Sequence, residues 1–260
     1  MPSVFFEPAG TDSFVATRAT AGPWSADAQH GGPPSALAAR ALEHHEPAEG
    51  QRLARVTVDI LRPVPLGKIT VRTRTLRPGR RVALLEAVLE ADGQELLQVR
   101  GWRIVTPAGQ GPATPAGPPP PAIPAEQPPP SFPGGHMGGY LEAVEWRYVA
   151  GGGFDVPGPA RVWARPRIPL LPDEEPSPMC RALLLTDSGS GVSAALDPVR
   201  FLFINVDLTV ILPRDPAGEW LLLDAVTTIG GRGTGLAETS VSDVRGRCGT
   251  AIQTLLVAPR

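Results

Sequence analysis

Between Thr106 and Pro133 the chain reads TPAGQGPATPAGPPPPAIPAEQPPPSFP, which holds twelve of its 32 prolines. Proline fixes φ and removes a backbone donor, so neither a helix nor a central strand can run through such a stretch. It also has almost no large side chain to bury. An extended, semi-rigid connector over the surface is expected, without fixed order along its whole length. The chain is thereby divided into 1–105 and 134–260, each of a size that suits an ordinary domain.

The two flanking parts resemble each other. The first contains RVTVDILRPVPLGKITVRTRTLRPGRRVALLEAVLEADGQELLQVRGWRIV. The second contains FINVDLTVILPRDPAGEWLLLDAVTTIGGRGTGLAETSVSDVRGRCGTAIQTLLV. Both read as four strands separated by a Pro-Gly turn, a Gly-Arg turn and a Gly turn. Pro63 corresponds to Pro213, Gly67 to Gly218, Gly79 to Gly230, Glu86 to Glu238 and Gly93 to Gly246. Alternation supports the strands: Val56, Val58 and Ile60 share one face, with Thr57 and Asp59 on the other. Short connections make neighbouring strands antiparallel.

Each part has one helical segment ahead of its strands. Pro33 and Pro34 suit a first helical turn, where a missing N–H costs nothing, and SALAARALEHH continues it. Ser177 reads as an N-cap and Pro178 as the first residue of a helix running through MCRALLLTDSGSGVSAAL. Few charges interrupt either segment, so each helix is expected inside a wrapping of other structure. An α+β fold follows, with two antiparallel sheets, each wrapped around a long buried helix.

Composition narrows the function. A hydrophobic fraction of 42% and a charged fraction of 19% describe a globular chain, and a net charge of −2 offers no field for nucleic acid. No apolar run reaches the ~18 residues that a membrane span needs. No signal peptide is visible, and Cys180 and Cys248 make no disulfide framework or metal-ligand spacing. A reduced, cytoplasmic enzyme or binding protein without metal or organic cofactor is expected.

Three polar residues interrupt apolar segments of the last third: Asp187 in LLLTDSGSG, Asn205 in FLFINVDL and Gln253 in GTAIQTLLV. Such groups are costly to bury unless they serve one another or a ligand. Asp207 is expected on the same strand face as Asn205. His30 precedes Gly31 and Gly32 at the start of the first helix, where free N–H groups and close backbone approach are available. Gly189 is a rival source of such donors. Blander readings stand beside these: Asp187 as a local cap, Asn205 as an outward strand residue, His30 as a surface or capping group. Arg77, Arg80 and Arg81 read as a solvated turn, and Trp102, Trp146, Trp163 and Trp220 as core or interface aromatics.

Taken in order, GGPPSALAARAL, Leu61-Arg62-Pro63, Ser177-Pro178, Asp187-Ser188-Gly189, Asn205-Val206-Asp207-Leu208 and Ala251-Ile252-Gln253 resemble the double-hotdog acyl-CoA thioesterases of the thioesterase II type. The resemblance implies two hotdogs in one chain and hydrolysis of an acyl thioester, carried by CoA or an acyl carrier, in a chain that assembles into homo-oligomers. That family activates water with an Asp, a Thr and a Gln. Asp187 and Gln253 match two of them, and Asn205 stands where the family has Thr. Counted from the helix starts, Asp187 corresponds to the region of Ala39 to Ala41, which has no carboxylate. One active centre per chain is therefore expected.

Two other readings compete. A non-catalytic acyl-thioester or lipid-binding hotdog would use the same pocket. An enoyl-thioester hydratase needs an acid paired with a catalytic His, and no His follows His136 in the second part. The missing GxSxG elbow sets aside an α/β-hydrolase, and GGRGTG lacks the following helix of a phosphate loop.

Overall fold

The computed structural model describes residues 2–260 apart from 107–110, 115–116, 130, 133–134 and 152–153. In chain order the first part runs β1 (Phe6–Pro8), β2 (Ser13–Ala16), α1 (Gly32–His44), β3 (Gln51–Ile60), β4 (Gly67–Arg77), β5 (Val82–Ala91) and β6 (Gln94–Val105). The second runs α2 (Tyr140–Ala143), β7 (Val144–Ala150), β8 (Ala160–Pro166), α3 (Pro178–Thr186), α4 (Gly189–Val192), β9 (Phe201–Asn205), β10 (Asp207–Ile211), β11 (Leu221–Ile229), β12 (Thr234–Asp243) and β13 (Gly246–Pro259).

The strands form one sheet in the order β1-β2-β4-β5-β6-β3-β10-β13-β12-β11-β8-β7, with β9 paired to β13. Two sheets were expected; there is one. Antiparallel pairing of β3 with β10, Thr57 opposite Thr209, joins the halves into a single surface. Read from that seam outward, the order is the same on both sides, which is the sequence repeat in three dimensions. Every pair is antiparallel, but β3 and β4 are not neighbours. β3 lies between β6 and β10, and the hairpins are β4-β5-β6 and β11-β12-β13. Asp92 and Gly93, at φ 50° and 74°, make the tight β5–β6 turn whose twist suits a hairpin.

Alternation follows the sequence. Val56 and Val58 are buried while Asp59 is exposed. The inward face packs on α1 and α3, which also pack on each other. Small residues allow the approach. A methyl group at Gly32 would overlap the Leu184 carbonyl, and one at Gly101 would meet Leu42 and Leu53. The sheet curls until Phe5 and Phe6, just before and within β1, donate to the carbonyls of Pro169 and Leu170 beyond β8. Both helices are thus enclosed.

Only α1 is long. The second helix stops at Asp187, its C-cap, and one further turn, α4, ends at Val192. The continuous helix expected over MCRALLLTDSGSGVSAAL is therefore two pieces. Its start is as read: Ser177 accepts from the Cys180 N–H at 3.1 Å and Pro178 opens the helix.

The described part of the Pro-rich connector has neither helix nor strand. Its end is anchored. The Gln127 side-chain amide accepts from Tyr148 N–H at 2.8 Å and donates to Tyr148 O at 2.9 Å, blunting the open edge of β7. The segment was expected to bury almost nothing, yet Phe132 is 5% exposed and packs edge-on against Trp24. The expectation of incomplete order, where it falls on 107–110, 115–116, 130 and 133, concerns positions outside the described residues. Among the described residues no helix is long and apolar enough to cross a membrane.

Candidate active site

Asp187 ends α3 because the chain turns there, and it does so against the N-terminus of α1. Its side chain is 4% exposed. Oδ1 accepts from Asn205 Nδ2 at 2.7 Å and, more distantly, from Gln253 Nε2 at 3.4 Å. Gln253 Nε2 also donates to the Asp187 carbonyl at 2.9 Å, and Gln253 Oε1 accepts from Ser190 N–H at 3.0 Å. Gln253 thereby splices the break between α3 and α4 to β13.

Asn205 reaches this point through a bulge. β9 and β10 both pair with β13, but the register slips by one residue between them, so Val206 and Asp207 both stand opposite Thr254. Val206 N–H bonds to Thr254 O, and Thr254 N–H turns to the Asp207 carboxylate at 2.6 Å. The bulge puts Asp207 on strand repair and leaves Asn205 alone facing Asp187. The shared face expected for the two residues is overturned.

The second oxygen of Asp187 meets the other half of the chain. His30 Nδ1 lies 3.0 Å from Oδ2, and the His30 side chain is 10% exposed. Gly31 permits the approach, since a methyl there would stand 2.8 Å from Oδ2. The lack of a histidine after His136 does not prevent such a pair. The curled sheet brings His30 from the first part, so an acid–histidine pair exists.

His30 Nδ1 also lies 3.1 Å from Gly32 N–H, as an acceptor would. These contacts compete for one nitrogen. An unprotonated Nδ1 would set its lone pair against a carboxylate oxygen, so a proton must lie between them. The charge-assisted bond is about twice as strong as a neutral one and prevails. In that tautomer Nδ1–H donates to Asp187, and Gly32 N–H, which points at Nδ1, has no acceptor there. Burial holds the His30 pKa below its ordinary value, with the Asp187 charge opposing the shift.

Tyr140 was missed in the sequence. It is wholly buried, its ring stacks on His30 at 3.7 Å and 7°, and its hydroxyl donates to Leu184 O at 2.8 Å and bonds Ser188 Oγ at 2.9 Å. Burial pushes its phenol pKa up, so it stays neutral. A buried tyrosine needs a partner for its hydroxyl, and this chain has only two tyrosines. That was the one available signal.

The glycines divide. Gly31 and Gly32 lie against Asp187 and α3, and with Pro33 and Pro34 lacking N–H groups they carry the first backbone amides at the start of α1. Gly189 faces away from His30: a methyl there would meet Thr239 Oγ1 and Gln253 Oε1, so its smallness gives Gln253 room. Trp146 and Trp163 are buried, and Trp220 lies between Arg147 and Arg165 at 4.8 Å each.

The symmetry-related end is different. There the C-terminal turn of α1 meets the N-cap of α3, and Glu43 accepts from Ser177 Oγ at 2.9 Å with the Cys180 thiol 3.6 Å away. A carboxylate does stand in the first helix, beyond the Ala39 to Ala41 region where none was expected. Burial raises both the Glu43 and Cys180 pKa values. Glu43 holds the N-cap residue Ser177, and among the described residues no imidazole hydrogen-bonds to it. Among the described residues no group of three or more His, Cys, Asp or Glu is arranged to hold a metal ion.

An antiparallel sheet curled round two abutting helices, with an acid, two carboxamides and an imidazole where they meet, defines a protein of the hotdog class. The chain belongs to the acyl-CoA thioesterase family: residues 20–104 match its N-terminal domain and residues 118–257 its C-terminal domain. Among solved structures it is similar to a proposed thioesterase from Novosphingobium aromaticivorans, at 21% identity over 97% of this chain and 98% of that one, with a TM-score of 0.73. It is also similar to a conserved protein of unknown function with a hot dog fold from Alicyclobacillus acidocaldarius, at 17% identity, 97% and 95% coverage and a TM-score of 0.72. An acyl-CoA thioesterase II from Mycobacterium marinum aligns at 16% identity, 98% and 95% coverage and a TM-score of 0.64. No curated protein matches the chain.

Proposed function

We propose that the protein hydrolyses acyl thioesters, of CoA or of an acyl carrier, using water activated at Asp187. In this reading 1–105 and 134–260 are two hotdog domains joined by 106–133, and they share one active centre. The observation that carries it is the set of bonds on one buried carboxylate: Asn205 and Gln253 on one side, His30 on the other. A thioester carbonyl is electrophilic enough for a positioned water and one base. Asn205 and Gln253 hold the carboxylate in place, and the amides of Gly31 and Gly32 at the start of α1 are the donors for the developing oxyanion. Glu43, tied to Ser177, serves packing at the other end.

A second reading, hydration of an enoyl thioester, gains from the His30–Asp187 pair. Family membership favours hydrolysis. Thiol release from a panel of acyl-CoAs, run beside loss of enoyl absorbance, separates the two. Release of thiol supports the first, and hydration without thiol supports the second. Binding without either reaction leaves an acyl-binding module.

A further inference from the structure

We infer that His30 is the base that touches the attacking water, and that Asp187 acts through it, with Tyr140 as a positioning residue. This rests on the proposed hydrolysis and says by which atom the water is activated. Both Asp187 oxygens already have protein partners at 2.7 and 3.0 Å, and the carboxylate is nearly sealed from solvent. With Nδ1–H committed to Oδ2, the free lone pair of the ring is on Nε2. Among the described residues no group hydrogen-bonds Nε2, while the side chain keeps 10% of its surface exposed. The ring cannot turn away, because Tyr140 stacks on one face and is itself held by Leu184 O and Ser188 Oγ.

The proton balance is complete without further reagents. Nε2 takes one proton from water as the water oxygen bonds the carbonyl carbon and the carbonyl π pair moves to oxygen. Collapse of that adduct breaks the C–S bond, and Nε2–H returns its proton to sulfur. Acid and thiol leave, and Asp187 holds Nδ1–H throughout, stabilising the transient imidazolium.

The titratable groups facing His30 are Asp187 at the end of α3 and Tyr140 in α2; Tyr140 stays neutral. The low pKa that burial gives the ring keeps Nε2 free at neutral pH.

The test uses the full chain labelled with 15N-histidine. In the wild type the His30 signals should report a neutral ring protonated at Nδ1. Asp187→Asn should convert it to the Nε2–H form, because the new amide donates to Nδ1. His30→Gln, which keeps a donor toward Asp187 but has no basic nitrogen, should lower kcat ~10²–10⁴-fold with KM little changed. The acid limb of the wild-type pH profile should vanish with it. Tyr140→Phe, which keeps the stack but loses both hydroxyl anchors, should lower kcat less than Tyr140→Leu, which removes the stack and should also blur the tautomer.

A wild-type ring protonated at Nε2 overturns the inference. So does a folded His30→Gln protein hydrolysing within about fivefold of wild type, since Asp187 then contacts water itself. If the wild type releases no thiol from any acyl-CoA, hydrolysis falls, while the tautomer still decides the His30–Asp187 arrangement.

Discussion

Asn205 and Leu208 both point inward from the same edge of β13, although they stand three positions apart in the chain. Only the bulge at Val206 and Asp207 reconciles this with strand alternation. It delivers one carboxamide to Asp187 while Leu208 stays in the core.

That delivery can be tested by removal and by the family residue. Asn205→Ala leaves Oδ1 with its longer partner only. A hydrogen bond to a charged group contributes ~1.5–3 kcal/mol, so kcat should fall ~10- to 100-fold. Asn205→Thr should retain most of the activity. Steady-state kinetics on one acyl-CoA decides, and equal losses for both variants would count against a hydrogen-bonding role.

Asp187→Asn should abolish measurable turnover, by about 10⁴-fold, through the wrong tautomer on His30. Far-UV circular dichroism and the melting temperature should stay close to wild type. Substantial remaining hydrolysis would remove Asp187 from the mechanism.

The pH dependence of stability has a definite sign. The folded His30 pKa lies below the unfolded value of ~6.5, so the unfolded chain binds the extra proton first. The contribution is full above about pH 6.5 and declines as pH falls toward the folded pKa. Melting temperatures across this range should drop less steeply for His30→Gln than for wild type.

Gly32→Ala drives a methyl into the Leu184 carbonyl. Backbone cannot yield as a side-chain tip can, so α1 and α3 must part. The expected loss is ~1–3 kcal/mol in urea unfolding, with activity falling as His30 moves from Asp187. An unchanged midpoint would mean that the helices do not abut this closely.

Asp243, with no exposed surface, accepts from both Arg214 guanidinium nitrogens and from Ala217 N–H at 2.6 Å and Arg245 N–H at 2.7 Å. Burial pushes its pKa up, but these donors outweigh it and the net shift is downward. Its stabilisation is thus present above the unfolded carboxyl value and lost as pH falls through the folded one. Asp243→Ala should cost about 3 kcal/mol in urea unfolding at pH 7, since it strands a partly buried Arg214. A loss under 1 kcal/mol would make the cluster a surface ornament.

The sequence by itself determined the repeat, most of the strands within it but not β1, β2, β7 or β8, both helix starts and the three polar interruptions at Asp187, Asn205 and Gln253. Each of these is written locally: alternation, Pro and Gly placement, and the cost of burying a polar group leave marks within a few residues. Tertiary structure alone decided that β3 and β10 fuse the halves into one sheet and that the second helix breaks at Asp187. It also decided that a bulge separates Asn205 from Asp207, and that His30 and Tyr140 arrive beside Asp187 from distant segments. Those outcomes depend on how a curled sheet brings the start of one helix against the end of another. No window of sequence contains both ends of that contact.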